Sequence, residues 1–438
     1  MRDKSQCHVH IRNTLVKNMR MRIKQAQAMG WSKRIALLVT LLCSTSVYAV
    51  QLKTLLKTAL EQDPMMLEAQ ANEEAALSKV KESKALHYPT LAVTANQILD
   101  QSHESQYDYV SEDFTPGIRG SVNLYSFGAI SAQVARDEKK SQYFEQKIGE
   151  TAEELGYNIG SEYLKALNAH EALAVQMRSL ERHNKFTQDV SVIVQYDAGR
   201  RSELTQARAR QMQVEHTISS LQRDLGFALS HLRKYSPEVI DQDTLSDPFA
   251  GLAPSQFITR YQLGEVTQHP SYLAQEAELD SIRSEVKYRK AKRYPSINLE
   301  GNVTTEDRQV YLNMSWDLLN QGAKYSVEQS GQSAVAAKAR LDQIQRDIEE
   351  RARTAEIDMF QSQQKMQISQ EQIIASRKVV SDNEKQFKIA RKSLIDVLNA
   401  YNELAGVEMA YVSAQNDYRM AALAYLRAQA NISNWVRQ

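Results

Sequence analysis

Two stretches 206 residues apart carry the same punctuation. Gln62-Asp63-Pro64 is matched by Gln268-His269-Pro270, and Tyr88-Pro89 by Tyr294-Pro295 at the same offset. A duplication on this scale constrains the fold more than any single motif. Each copy must form the same supersecondary unit, and the two units must pack together. The copies span residues 50–240 and 256–438, and residues 241–255 join them. The stretch around the join, 236–255, carries three of the eight prolines and reads as linker or surface structure.

No proline occurs between Pro116 and Pro237 or after Pro295. An interior proline costs about 3 kcal/mol, so these stretches are free to form very long helices. Each copy reads in the same order. A first helix (52–86 or 257–292) leads to two alternating segments joined by a loop. A long helix follows (129–195 or 323–389), then a short break, then a final helix from Ser202 or Ser393. At 1.5 Å per residue each long helix approaches about 100 Å. Only the first and last helices stacked end to end match that length, which predicts a long helix antiparallel to a broken pair. The last helix also repeats every seven residues. Val397, Leu404, Tyr411, Tyr418, Tyr425 and Ile432 form one row; Ala400, Val407, Ala414, Ala421 and Ala428 form the second, a coiled-coil seam.

The alternating segments break this helical pattern. Leu91, Val93 and Ala95 oppose Ala92, Thr94 and Asn96; Ile118, Val122 and Leu124 oppose Arg119, Ser121 and Asn123. In the second copy Ile297, Leu299 and Val303 oppose Asn298, Glu300 and Asn302. Val310, Leu312, Met314, Trp316 and Leu318 then oppose Tyr311, Asn313, Ser315 and Asp317. Such alternation over this length fits strands with one face in lipid and one in water. Four strands cannot close a barrel, and open edges are not tolerated in lipid, so several protomers must contribute. Three would give a twelve-stranded barrel. The expected fold is therefore mainly α with membrane β-strands: a duplicated helix–strand–strand–helix repeat whose trimeric barrel continues into a long α-helical coiled-coil barrel.

Residues 1–49 read as a secretory signal peptide. Lys33 and Arg34 precede the apolar run 35–42, and Val47 and Ala49 occupy the small-residue positions of a cleavage site. The only cysteines, Cys7 and Cys43, lie in this leader, so the exported chain is expected to have no disulfide or thiolate chemistry. A net charge of +1 gives no reason to expect a nucleic-acid partner. No zinc-protease motif, phosphate-binding glycine loop or serine elbow is present, and no cofactor or catalytic role is expected. His170 and Glu171 read as a solvated pair on a helix.

The chain resembles the TolC-like outer-membrane efflux and secretion channels. The resemblance rests on the duplicated Tyr-Pro strand starts, the junctions "NLYSFGA" and "DLLNQGA", and the segments "QYDAGRRS" and "QFKIARKSLIDVLNAYNEL". It implies a homotrimer in the outer membrane of a Gram-negative cell, reaching far into the periplasm. It also implies a periplasmic adaptor, an inner-membrane transporter of ABC type, and no enzymatic activity. The helix breaks become periplasmic tips that dock the adaptor: Gly199, Arg200, Arg201 and Ser202 in one, Ala390, Arg391 and Ser393 in the other. Ala390 stands where the family carries glycine, which reaches positive φ more easily. Asp396 and Asn399 match two acidic gate positions, the second an amide here, and Lys392 matches a basic residue that locks the tips. "RKSLIDVLNAYNEL" is closer to the type I protein-secretion branch; small-molecule efflux is the alternative. A soluble periplasmic coiled-coil scaffold is the rival of another class. The segment around Glu104 is expected to be an extracellular loop.

Overall fold

A computed structural model describes residues 52–97, 114–236, 240–305 and 307–438. The leader and the Glu104 loop lie outside the described residues. The first copy contains helices Leu52–Gln62 (α1) and Pro64–Ala85 (α2), and strands Thr90–Asn96 (β1) and Thr115–Tyr125 (β2). It ends with helices Ala129–Tyr196 (α3) and Arg201–Leu232 (α4). The second repeats the order with Pro254–Tyr261 (α5), Pro270–Ala291 (α6), Ser296–Thr304 (β3), Arg308–Ser315 (β4), Gln321–Lys388 (α7) and Leu394–Ala428 (α8). A short helix, Ile432–Arg437 (α9), follows. Among the described residues no helix is long and apolar enough to cross a membrane.

The long helices, 68 residues each, end within a residue or two of their expected bounds. α3 packs against α2 and α4, and α7 against α6 and α8, as a long helix beside a broken pair. The first helix of each copy differs from expectation, because it is interrupted. Pro64 and Pro270 have no N–H to continue a preceding helix, and each instead opens a new one. The residue before each proline caps it. Asp63 Oδ1 accepts from the Met65 amide at 2.8 Å, and His269 Nδ1 accepts from the Ser271 amide at 3.1 Å. A buried Asp and a buried His thus do the same work at equivalent places in the two copies.

The strands form one antiparallel sheet in the order β1-β2-β3-β4, so the β2–β3 pairing joins the copies. Its register separates two faces. Val93, Ile118 and Val303 lie side by side, as do Val122, Leu299 and Leu312. On the other face Asn123, Asn298 and Asn313 form one row, and Ser121, Glu300 and Tyr311 another. Glu300 accepts hydrogen bonds from the Tyr311 hydroxyl (3.1 Å) and Asn313 Nδ2 (2.8 Å). The apolar face is uncovered: Leu91, Val93 and Val310 are 79%, 85% and 76% exposed. β4 stops at Ser315, so Trp316 and Leu318 fall beyond the strand they were expected to continue.

Residues 241–255 are more than a linker. Leu245 and Phe249 are buried in the main core, with the Phe249 ring 5.2 Å from Trp435 and 5.8 Å from Phe257. The Tyr163 hydroxyl donates to the Ser246 carbonyl at 3.0 Å and accepts from its amide at 2.9 Å. The proline-rich composition hid three well-placed anchors, Leu245, Ser246 and Phe249.

Two glycines let the C-terminal helices approach α3. A Cβ at Gly156 would lie 2.6 Å from Ile432 Cγ2, and one at Gly160 would lie 2.7 Å from Leu423 Cδ2. The two glycines are four residues apart, hence on one face of the helix. Ile432 is β-branched and cannot swing aside. Gly156→Ala gains up to about 1 kcal/mol of helix propensity but suffers overpacking of about 1–3 kcal/mol. It should lower the thermal midpoint, whereas Gly226→Ala, with no atom within 4 Å of its Cβ, should raise it.

Candidate functional site

The helix ends opposite the sheet carry the expected tip residues. In the first, α3 ends at Tyr196 and a 3-10 turn spans Ala198–Arg200 before α4. Asp197 Oδ1 accepts from the Gly199 amide at 3.0 Å. Gly199 does not adopt a positive φ; a Cβ there would meet Asp197 Oδ1 at 3.2 Å. Arg200 bonds Glu203 Oε2 through Nε (3.0 Å) and Nη2 (2.7 Å), and Arg201 and Ser202 are exposed.

The second tip takes the strain that the first avoids. Ala390 sits at φ +58°. The Ala390 amide donates to the Phe387 carbonyl (3.0 Å) and the Arg391 amide to the Gln386 carbonyl (2.8 Å). That is the Schellman arrangement that usually ends on glycine, so alanine here carries the left-handed cost of about 1–2 kcal/mol. Ser393 then caps α8 in a full capping box. Its Oγ accepts from the Asp396 amide at 3.2 Å, and its own amide donates to Asp396 Oδ2 at 3.0 Å. The Ser393 hydroxyl also donates to Asp396 Oδ2 at 2.8 Å; this bond first, then the one from the Ser393 amide, holds the Asp396 carboxyl below its usual range, and nearby Lys392 adds to the effect. Arg391, Lys392 and Asn399 are exposed, and Asn399 shares a helix face with Asp396.

The tips are joined. The Arg200 guanidinium lies 5.3 Å from the centre of the Phe387 ring, which itself packs 5.2 Å from Phe186. Phe186, Val190, Ala207, Phe387, Leu394 and Val397 belong to one apolar cluster drawn from both copies. The different turn lengths explain a mismatch in the sequence. The tip motifs align at an offset of 191 and the heptads at 193. α4 and α8 start at Arg201 and Leu394, so the helices follow the heptad offset and the turns absorb the difference.

Behind the tips lies a polar layer that the sequence reading missed. Glu408, 3% exposed, accepts from Arg182 (3.3 Å) on α3 and Arg377 (3.0 Å) on α7. Arg419, 2% exposed, is held bidentately by Glu171 at 2.7 and 2.9 Å and by Asp247 at 2.8 Å. Glu171 is therefore an ion-pair partner and not a solvated charge. The available signal was a lone charge beside the apolar seam of α8. His183 is fully buried against Tyr401, and neither ring nitrogen has a hydrogen-bond partner among the described residues.

A family model for outer membrane efflux proteins matches residues 55–236 and 266–430. Outer membrane protein TolC of Vibrio cholerae is 22% identical over 418 residues, covering 89% of this chain and 93% of its own. Outer membrane efflux protein BepC of Brucella suis is 19% identical over 292 residues, 63% of each chain. The solved Campylobacter jejuni CmeC outer membrane channel shares the fold with a TM-score of 0.75 at 14% identity, covering 87% of this chain and 85% of that one.

Burial, with the charges of Arg182 and Arg210, pushes the His183 imidazole down to about 4. Between that value and the unfolded value near 6.5, the unfolded chain binds more protons than the folded one, so stability falls as pH drops through this window. The thermal midpoint should decline from about pH 6.5 towards pH 4. In His183→Leu the decline should be visibly shallower.

Proposed function

Because this chain belongs to the outer membrane efflux protein family, we propose that it is the outer-membrane exit duct of a tripartite export system. In this reading it works as a homotrimer with a periplasmic adaptor and an inner-membrane ABC-type transporter, in type I protein secretion. The sheet carries the argument. Its uncovered apolar face suits lipid, its polar face suits a water-filled lumen, and its outer edges, β1 and β4, need partners. Three copies supply twelve strands. A soluble scaffold would leave that apolar face in water. Val335, Ile357, Ile368 and Ile374, exposed along α7, are further surface for neighbouring protomers. A cleaved signal peptide at 1–49 accounts for export.

The preference for protein cargo rests on the segment from Arg391 to Leu404. The second reading, small-molecule efflux, is favoured by the family's description and by the name of the Brucella relative. Purification of the tagged full chain after in-cell cross-linking tests both. We expect a detergent-extracted trimer carrying an adaptor and an ABC transporter; a proton-driven drug pump in place of the latter would favour the second reading. Docking is assigned to Gly199, Arg200, Arg201, Ser202, Ala390, Arg391 and Ser393. Gly199→Val crowds the Asp197 cap, and should remove the adaptor from the purified complex while the trimer persists.

Asp396, Asn399 and Lys392 are assigned to the periplasmic gate. Three Asp396 carboxylates around a threefold axis, kept ionised by Ser393, concentrate negative charge at a narrow opening. An asparagine amide oxygen at this position still accepts from the Ser393 amide. Asp396→Asn in planar bilayers should therefore weaken divalent-cation block several-fold with the thermal midpoint almost unchanged. Unaltered block would remove Asp396 from the gate.

A further inference from the structure

The segments that carry the helices into the sheet are strongly basic. Lys287, Arg289, Lys290, Lys292 and Arg293 crowd the end of α6, and no acid lies between Glu285 and Glu300. The equivalent stretch at the end of α2 carries Lys79, Lys81, Lys84 and His87. All of these are exposed. The chain's net charge is only +1, so this is a local concentration and not a bias of composition. Several are engaged: Arg289 with Glu285 and Ser326, Lys79 with Glu82, and Lys84 with Glu138. Lys81, Lys287, Lys290 and Arg293 have no side-chain ion pair among the described residues.

The register puts the start of β1, the end of β2, the start of β3 and the end of β4 at this same margin of the sheet. Aromatic side chains gather there. Phe127 stacks on Tyr294 with ring centroids 5.5 Å apart, and Tyr125 meets Phe127 edge-on at 4.7 Å. Trp316 Nε1 donates to the Arg293 carbonyl at 3.1 Å. Exposed Tyr and Trp at a strand margin mark the boundary between hydrocarbon and headgroups. The cations stand immediately beyond that boundary, on the side of the helices.

We propose that this basic collar binds the headgroups of anionic glycerophospholipids in the periplasmic leaflet. The inference rests on the outer-membrane reading above, which puts the helices in the periplasm. The four uncommitted cations supply charge complementarity at headgroup depth, and the aromatic rings fix that depth. Lysine and arginine near an anionic surface are each worth roughly fivefold in affinity. Zwitterionic phosphatidylethanolamine offers the same phosphate without the net charge and should bind far more weakly.

The test uses the full chain in detergent, titrated with phosphatidylglycerol or phosphatidylethanolamine, with retained lipid counted by native mass spectrometry. We expect a preference for phosphatidylglycerol of roughly tenfold or more at low salt, collapsing in 1 M salt, where the screening length falls to about 3 Å. The combined variant Lys287→Gln, Lys290→Gln, Arg293→Gln should lose most of that preference with its midpoint and oligomeric state retained. Should the variant fail to assemble, the salt series on the unaltered protein decides. Equal retention of the two lipids, or a preference indifferent to salt, overturns the inference. Release of the chain from membranes by alkaline carbonate would instead overturn the membrane reading, and this inference with it.

Discussion

A β-strand in hydrocarbon must satisfy every backbone N–H and C=O without water. The four-stranded sheet meets this demand across three pairings and leaves it open at the outer edges of β1 and β4. Much of the architecture follows from that. The sheet is too narrow to curl onto itself, so lipid forces association. Its two faces must differ, because one meets lipid and the other meets water. The β2–β3 pairing brings the two copies side by side at the membrane. α3 therefore starts beside α6 of the other copy, with Arg136 on Glu285 and Lys140 on Glu278, and the tips of the two copies meet again about 100 Å away.

At the tips the two copies reach similar turns by different chemistry. The first has a glycine that never takes a positive φ and an Asp197 cap that depends on the space glycine leaves. The second has an alanine at +58° and spends about 1–2 kcal/mol of local strain there. A strained turn next to a capping box is easier to displace than a relaxed one. The Arg200–Phe387 contact joins the two turns.

The fold was largely legible because its signals are periodic. The heptad rows are buried as expected, except for half-covered Tyr411, although Ile432 falls in α9, and the alternating segments are strands with the expected faces except at Trp316 and Leu318. The breaks at Pro64 and Pro270 were printed in the sequence but read through, since an apolar pattern continues on both sides. The tip residues were legible only by resemblance; nothing in their spacing indicates that Arg200 reaches Phe387. Glu408, Arg419 and His183 were not legible. A single polar residue beside a seam looks the same whether it points to solvent or finds partners hundreds of positions away.

Those buried charges answer a problem that the periodic seam creates. Tyr411, Tyr418 and Tyr425 alternate with Ala414, Ala421 and Ala428. A slide of α8 by seven residues would move it about 10 Å and set tyrosine on tyrosine and alanine on alanine. The apolar seam alone barely distinguishes these registers. The ionic contacts do. Seven residues either side of Arg419 stand Val412 and Leu426, and seven either side of Glu408 stand Tyr401 and Gln415. A slipped helix would leave Glu171 and Asp247 facing an aliphatic side chain, and Arg182 and Arg377 facing a phenol or an amide. Buried ion pairs are poor sources of net stability, but breaking one strands a charge in the interior at about 3–5 kcal/mol. The Gly156 and Gly160 notches add a steric check, since only Ile432 and Leu423 nest into them. The register of the tips relative to the sheet is thus set by a few polar and small residues along α3, while the heptads supply the bulk of the adhesion.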